Sequence, residues 1–413
     1  MLDLKGIKEL DSKYGPSFYL LLVNKLRENY HKIESAFKKR YSKFLIGYSY
    51  KTNYLPYLCK EMDHLGAYAE VVSRLEYDLA LKIGVDPKKI IFNGPLKDFE
   101  DIKLAIENKS YLNIDSLYEL EFIKRYSLEN PNKQVKVGIR INFDITDEGQ
   151  TVIQEGYYNS RFGICLENGD LEYAISELKN SDNVLIAGVH SHYSTSSRNV
   201  ETYRIITRKL CEITKAYSLD NIEYIDVGGG IYGEIPSSFH ITAPTFDDYA
   251  EVICSIMSEE FKDENKRPYL VLEPGISMVA NTFLFVAKVI DVKNVRDSKF
   301  VLVDGSVHNI KPTMHKKNLP MQVLTAGNNG TGVYNVVGYT CMEKDYLANE
   351  MVGEIPQRND YIIFENVGAY TIVFNPPFIK ERPSIVAIDG TETFIVRNKE
   401  TIKEFFNEDL YCF

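Results

Sequence analysis

The sequence predicts an α/β protein: a closed (β/α)8 barrel of parallel strands followed by a second, mostly β domain. Three observations predict it. Eight short apolar runs alternate with amphipathic stretches of helical periodicity. Lysine, histidine, glycine and glutamate stand where those runs stop, and a barrel gathers its site at the C-terminal ends of its strands. Beyond Met278 the helical periodicity fades and β-like runs take over.

In order, residues 16–22 read as an apolar strand and 23–37 as a helix. The eight barrel strands are expected at 44–48, 67–72, 90–93, 111–114, 135–142, 184–190, 224–227 and 269–272, with helical patterns at 98–108, 117–126, 171–179, 200–217 and 246–261. After 278, β-like runs lie at 283–292, 300–303, 322–324, 361–364, 371–374 and 393–396, and a strand at 18–20 is expected to complete their sheet. The expected division is a barrel over 26–279 and a β-rich domain made of 1–25 plus 280–413. A doubly wound open sheet is the alternative, but it requires no coincidence of polar residues at the strand ends.

Composition narrows the function. The chain of 413 residues is 44% hydrophobic and 26% charged, which is ordinary globular composition, and its formal net charge of −10 argues against nucleic acid or an anionic membrane as the main partner. No stretch approaches the length of a membrane span, and the N-terminus lacks the apolar core of a signal peptide, so a cytoplasmic protein acting on a small molecule is expected. The six cysteines show neither metal-ligand spacing nor a disulfide framework. No metal is expected.

Lys51 ends the first barrel run. It either snorkels to solvent from a strand end or has a lowered pKa and condenses with an aldehyde. Gly228-Gly229-Gly230 after the seventh run could close around a phosphate or make a plain turn. Glu273 ends the eighth run, where a buried carboxylate needs a partner, either a cationic ring nitrogen or a barrel arginine such as Arg140. His190 and His192 stand at the end of the sixth run and are expected to face opposite sides, where they would not share one ion.

Together these positions resemble the barrel-type (fold type III) pyridoxal-phosphate decarboxylases, the family of the diaminopimelate and ornithine decarboxylases, over nearly the whole chain. Tyr50-Lys51-Thr52-Asn53, Ala69-Glu70-Val71-Val72-Ser73, Phe92-Asn93-Gly94-Pro95-Leu96-Lys97, Asn113-Ile114-Asp115-Ser116, Gly138-Ile139-Arg140-Ile141-Asn142, Ser160-Arg161-Phe162-Gly163-Ile164 and Gly188-Val189-His190-Ser191-His192 match its barrel motifs in order. Val303-Asp304-Gly305, Cys341-Met342-Glu343-Lys344-Asp345 and Gly368-Ala369-Tyr370-Thr371 match those of its β domain.

The resemblance implies an alanine-racemase-like TIM barrel, pyridoxal 5'-phosphate as cofactor, and a homodimer with composite sites. It implies that Lys51 carries the cofactor and that Glu273 keeps its ring nitrogen protonated. His192 would cover the ring, and Gly228, Gly229, Gly230, Thr195 and Tyr370 would hold the phosphate. Cys341 of the other subunit would return a proton to the α-carbon.

Four positions depart from better-known members. Ile276 stands where an arginine follows Glu-Pro-Gly, Met342 where an acidic residue reads a distal amine, Lys311 where diaminopimelate enzymes carry arginine, and His315 where they carry tyrosine. A lysine cannot reproduce the bidentate grip of arginine on a carboxylate. The expected substrate is therefore an amino acid or amino-acid conjugate with a non-standard distal group. Asp304, Lys311, His315, Met342, Glu343 and Asp345 are the candidate substrate-binding residues. The alternatives are a diaminopimelate, ornithine or lysine decarboxylase proper, an amino-acid racemase, or a catalytically silent homologue that binds a partner protein.

Overall fold

The computed structural model describes residues 3–146, 152–327 and 330–413. Two compact units emerge: residues 29–235 with 241–278, and residues 1–28 with 236–240 and 279–413.

The first unit is the barrel. Its strands are β1 (Phe44–Ser49), β2 (Tyr68–Val71), β3 (Ile90–Phe92), β4 (Tyr111–Ile114), β5 (Val135–Asn142), β6 (Val184–His190), β7 (Tyr224–Asp226) and β8 (Tyr269–Leu272). Each pairs in parallel with the next, and Leu270 of β8 opposite Phe44 of β1 closes the ring. A ring has no edge strand to protect from other chains. All eight strands run the same way, so the segments that follow them converge on one end.

Local chemistry sets the helix boundaries. Asp98 and Asp101 form a reciprocal capping box that starts the helix Phe99–Glu107, and Thr245 with Asp248 does the same for Phe246–Glu260. Gly66 and Gly84 end Pro56–Leu65 and Arg74–Ile83 in left-handed conformation, which glycine adopts without a Cβ penalty. Between the loops after β3 and β4 lies a fully buried ion pair, Lys97 Nζ to Glu119 Oε2 at 2.9 Å. Glu119 Oε1 also accepts from the backbone N–H groups of Asp115 and Ser116 at 2.8 and 3.0 Å, so the pair ties two strand-end loops together.

The second unit is built on a nine-stranded sheet. The N-terminal strand Ser17–Leu22 lies inside it, antiparallel to Phe283–Val295 and parallel to Ser384–Asp389, so the expected completion by the start of the chain is observed.

Three sequence expectations need correction. Residues 371–374 form a turn, not a strand. The helix Leu4–Tyr14 was not anticipated, because Gly6 and a scarcity of apolar residues mask it. Asp3 caps it by accepting from Gly6 N–H at 2.8 Å, and it buries only Ile7 and Leu10. Strand β1 stops at Ser49, and Lys51 sits in a single 3-10 turn, Tyr50–Thr52.

The buried pair makes a stability prediction. Lys97→Met leaves the Glu119 charge without its counter-ion and should cost about 3–5 kcal/mol by urea denaturation. Adding Glu119→Gln should recover much of that loss. A single variant as stable as the wild type would show that the pair does not hold these loops.

Candidate active site

Lys51 meets a carboxylate. Its Nζ lies 2.6 Å from Glu70 Oε2, with the lysine side chain 32% exposed and that of Glu70 fully buried, so a buried carboxylate anchors a partly exposed lysine. Ser49 Oγ also donates to Glu70 Oε2. Asn93, just beyond β3, donates through Nδ2 to Glu70 Oε1 at 3.0 Å and to Glu273 Oε1 at 2.5 Å. Glu70 and Asn93 fell within matched motifs, but sequence reasoning gave neither a role; an acid inside an apolar run was the available signal for Glu70.

Glu273 is buried at the end of β8. His190 Nε2 lies 3.5 Å from Glu273 Oε2, and one ligand-type atom from each of His190, Asp226 and Glu273 falls within 4.8 Å of the others. Burial pushes the Glu273 carboxyl up, but His190 and Lys51 outweigh it and hold the group well below the usual carboxylate range. Asp226 is pushed well up by burial and then by the charge of Glu273. Of two neighbouring buried carboxyls, one keeps its proton, and that one is Asp226. Arg140 is not the partner of Glu273: it pairs with Asp115 at 3.1 Å and donates to the His192 carbonyl at 3.0 Å.

His192 accepts from the Gly229 N–H through Nδ1 at 3.1 Å, which fixes that nitrogen as unprotonated. Burial, then Arg140 and Lys51, lower its pKa from 6.5 to about 3. The two histidines therefore do not serve opposite faces as expected. Residues two apart in an extended run share a face, so the alternation puts both histidines on one side, and each interacts electrostatically with Glu273.

Gly228-Gly229-Gly230 must be glycines. Gly228 and Gly230 have φ of +71° and +89°, and a Cβ on Gly229 would stand 2.0 Å from the Glu273 carbonyl oxygen. Tyr203 braces the loop by donating to the Gly229 carbonyl at 2.7 Å. Further along, the Gly233 backbone packs against Ser277, whose buried hydroxyl has no hydrogen-bond partner among the described residues. Thr195 forms a single β-bridge with Ile153. Ile276 opens the short helix Ile276–Val279.

In the β-rich unit Cys341 is exposed, as is Glu343, and Met342 is partly exposed. The Asp345 carboxylate is occupied within its own unit. It accepts from Val307 N–H at 2.6 Å and from Thr340 N–H and Oγ1 at 3.0 and 2.6 Å. Asp304 pairs with Lys380. Tyr370 has φ +54° and stacks on Phe374 at 5.9 Å. Lys311 is buried without an ion pair among the described residues, and burial pushes its pKa down. His315 is likewise lowered, by burial and then by Lys311.

The family model described as pyridoxal-dependent decarboxylase, pyridoxal binding domain, matches residues 23–280. The chain is 28% identical to a diaminopimelate decarboxylase of Methanocaldococcus jannaschii, covering 97% of this chain and 93% of that protein. It is 25% identical to the Aquifex aeolicus diaminopimelate decarboxylase, over 96% of this chain and 92% of that one. The crystal structure of the M. jannaschii enzyme superposes with a TM-score of 0.88 at 28% identity, covering 98% of this chain and 94% of that chain. No helix among the described residues is long and apolar enough to cross a membrane.

The residues present fit pyridoxal phosphate. Gly228 and Gly230 hold the strand-end loop at positive φ, the orphaned Ser277 hydroxyl lies beside Gly233 further along, and the Lys51 amine and a buried ionised carboxylate share one network through Glu70 and Asn93.

The His192 environment predicts a pH effect. The folded protein keeps this imidazole neutral down to about pH 3, whereas an unfolded chain protonates it near 6.5. Between those values the unfolded state binds more protons, so stability falls as pH drops. Urea unfolding of the apoprotein at pH 7 and pH 5 should show a smaller loss for His192→Gln than for the wild type. Equal losses would contradict the assignment.

Proposed function

We propose a substrate class for this chain, which belongs to the pyridoxal-dependent decarboxylase family and is a pyridoxal-phosphate-dependent amino-acid carboxy-lyase: an amino acid or amino-acid conjugate whose distal end differs from that of diaminopimelate. The observation that carries this reading is Lys311, a buried cation without a counter-ion among the described residues, standing where the diaminopimelate enzymes are expected to have arginine. Buried lysine neutralises readily and arginine does not, so the site suits a polar or singly anionic group and lacks a fork for a carboxylate. Met342, where an acidic residue would read a distal ammonium, removes the other half of that recognition.

When bound, pyridoxal phosphate supplies a sink for the electron pair released as CO2 leaves the α-carbon. Lys51 carries the cofactor aldehyde, and Glu70 orients the amine at 2.6 Å. Glu273, kept ionised, would hold a proton on the ring nitrogen. His192, neutral, would cover one side of the ring and exclude water from it. Gly230 would present its backbone N–H to the phosphate, with Gly228 and Gly229 shaping the loop while their own N–H groups go to Asp226 Oδ1 at 2.8 Å and His192 Nδ1 at 3.1 Å, and Thr195 and Tyr370 are assigned to the same anion by family resemblance. Cys341 of a second copy returns a proton to the α-carbon, which makes the working species a homodimer, and we assign it to the cytoplasm.

A second reading is diaminopimelate itself, favoured by the names of the M. jannaschii and A. aeolicus relatives.

A panel of amino acids offered to the holoenzyme, read as CO2 release, separates the two. Turnover of a substrate with a different distal group, and none with diaminopimelate, is the expected outcome; rapid CO2 release from diaminopimelate would overturn the proposal. With the accepted substrate, Cys341→Ala should slow turnover about a hundredfold, the scale of a lost proton donor, while leaving the visible absorbance of the bound cofactor intact.

A further inference from the structure

The barrel interior carries a continuous polar chain. Tyr224 of β7 is in register with Gly188 of β6, Gly188 with Gly138 of β5, and Gly138 with Asn113 of β4. Both glycines are needed to clear the way. A Cβ at Gly188 would stand 2.1 Å from the Tyr224 ring, and one at Gly138 would stand 2.0 Å from Asn113 Oδ1 and 2.1 Å from the Tyr224 hydroxyl. The tyrosine ring therefore crosses two strands inside the barrel and donates to Asn113 Oδ1 at 2.6 Å. Asn113 Nδ2 donates to Asn93 Oδ1 at 2.8 Å, and Asn93 Nδ2 donates to Glu70 and Glu273.

Chemistry allows this chain one direction only. Ionised carboxylates accept and never donate, so Asn93 must turn its NH2 towards them and its oxygen towards Asn113. Asn113 must then present its own NH2 to Asn93 and its oxygen to Tyr224, which has to donate. Burial pushes the Tyr224 phenol well above its ordinary value, so the donor keeps its proton. The chain starts at a cavity of about 860 Å³ lined by Tyr68, Tyr111 and Tyr224, and ends at the two carboxylates of the site.

We propose that Tyr224 and Asn113 are positioning residues of the decarboxylase: through Asn93 they present two N–H donors to Glu70 and Glu273 and so hold both carboxylates as acceptors. Without the phenol donor the Asn113 amide is free to turn over, and Asn93 loses the constraint that aims its NH2 at the site. Glu273 then becomes more basic and competes for the proton it should leave on the ring nitrogen. This inference rests on the assignment of Glu273 to the cofactor ring.

The test needs no substrate. The visible absorbance of the cofactor-loaded protein is titrated against pH, and the cofactor dissociation constant is measured by equilibrium dialysis, for the wild type and for Tyr224→Phe, which keeps the ring. The expected result is a shift of about one pH unit in the titration and about tenfold weaker cofactor binding, the scale of one lost hydrogen bond to a charged network. Asn113→Asp is isosteric and, when ionised, cannot donate to Asn93, so it should give the same shift and decides the matter if the phenylalanine variant fails to fold. Variants that titrate and bind as the wild type does, with only a lowered melting temperature, would reduce the chain to packing and overturn the proposal. A wild type that gains no visible absorbance from the cofactor would overturn the assignment of Glu273 and this inference with it.

Discussion

Glu273 has to remain ionised while fully enclosed by protein, and the architecture around it follows from that requirement. An ion buried without compensation costs several kcal/mol even after relaxation, roughly the net stability of a domain. Here the compensation comes from several strands at once: an N–H bond from Asn93 after β3, His190 from β6, and the nearby charge of Lys51 after β1. Asp226 of β7 would add a second negative charge, and it avoids doing so by keeping its proton. Only a closed parallel barrel brings the ends of β1, β3, β6, β7 and β8 to one place.

Glycine serves this arrangement in two ways. At the mouth, Gly228 and Gly230 adopt positive φ and Gly229 lets the loop press against the Glu273 backbone, so the loop is packed against the residue that carries the buried carboxylate. Within the barrel, Gly138 and Gly188 are ordinary in conformation and matter for what they leave out. The space they vacate is filled by a single tyrosine side chain from a third strand. The same residue type thus shapes a ligand cradle and clears a path for a hydrogen-bond chain.

Much of this was legible in the sequence wherever the signal was local. Alternating apolar runs located all eight barrel strands, and Lys51, the triple glycine and Glu273 stood out because each interrupts such a run. Asn113 and Tyr224 gave no such signal, since their importance arises from cross-strand register between residues more than a hundred positions apart. The facing of His190 and His192 was misread because residues two apart in an extended run share a face and do not oppose each other. In the β-rich unit, Asp345 looked available in its motif, yet two donors of Thr340 in its own loop and the Val307 N–H occupy it.

The account depends most on Lys51 being the residue that carries the cofactor. Borohydride reduction of the holoprotein, followed by proteolysis and mass mapping, tests this directly by fixing the cofactor on whichever amine holds it. The predicted result is a pyridoxyl phosphate adduct on the peptide containing Lys51 and on no other. An adduct on Lys97 or Lys311, or none at all, would contradict it.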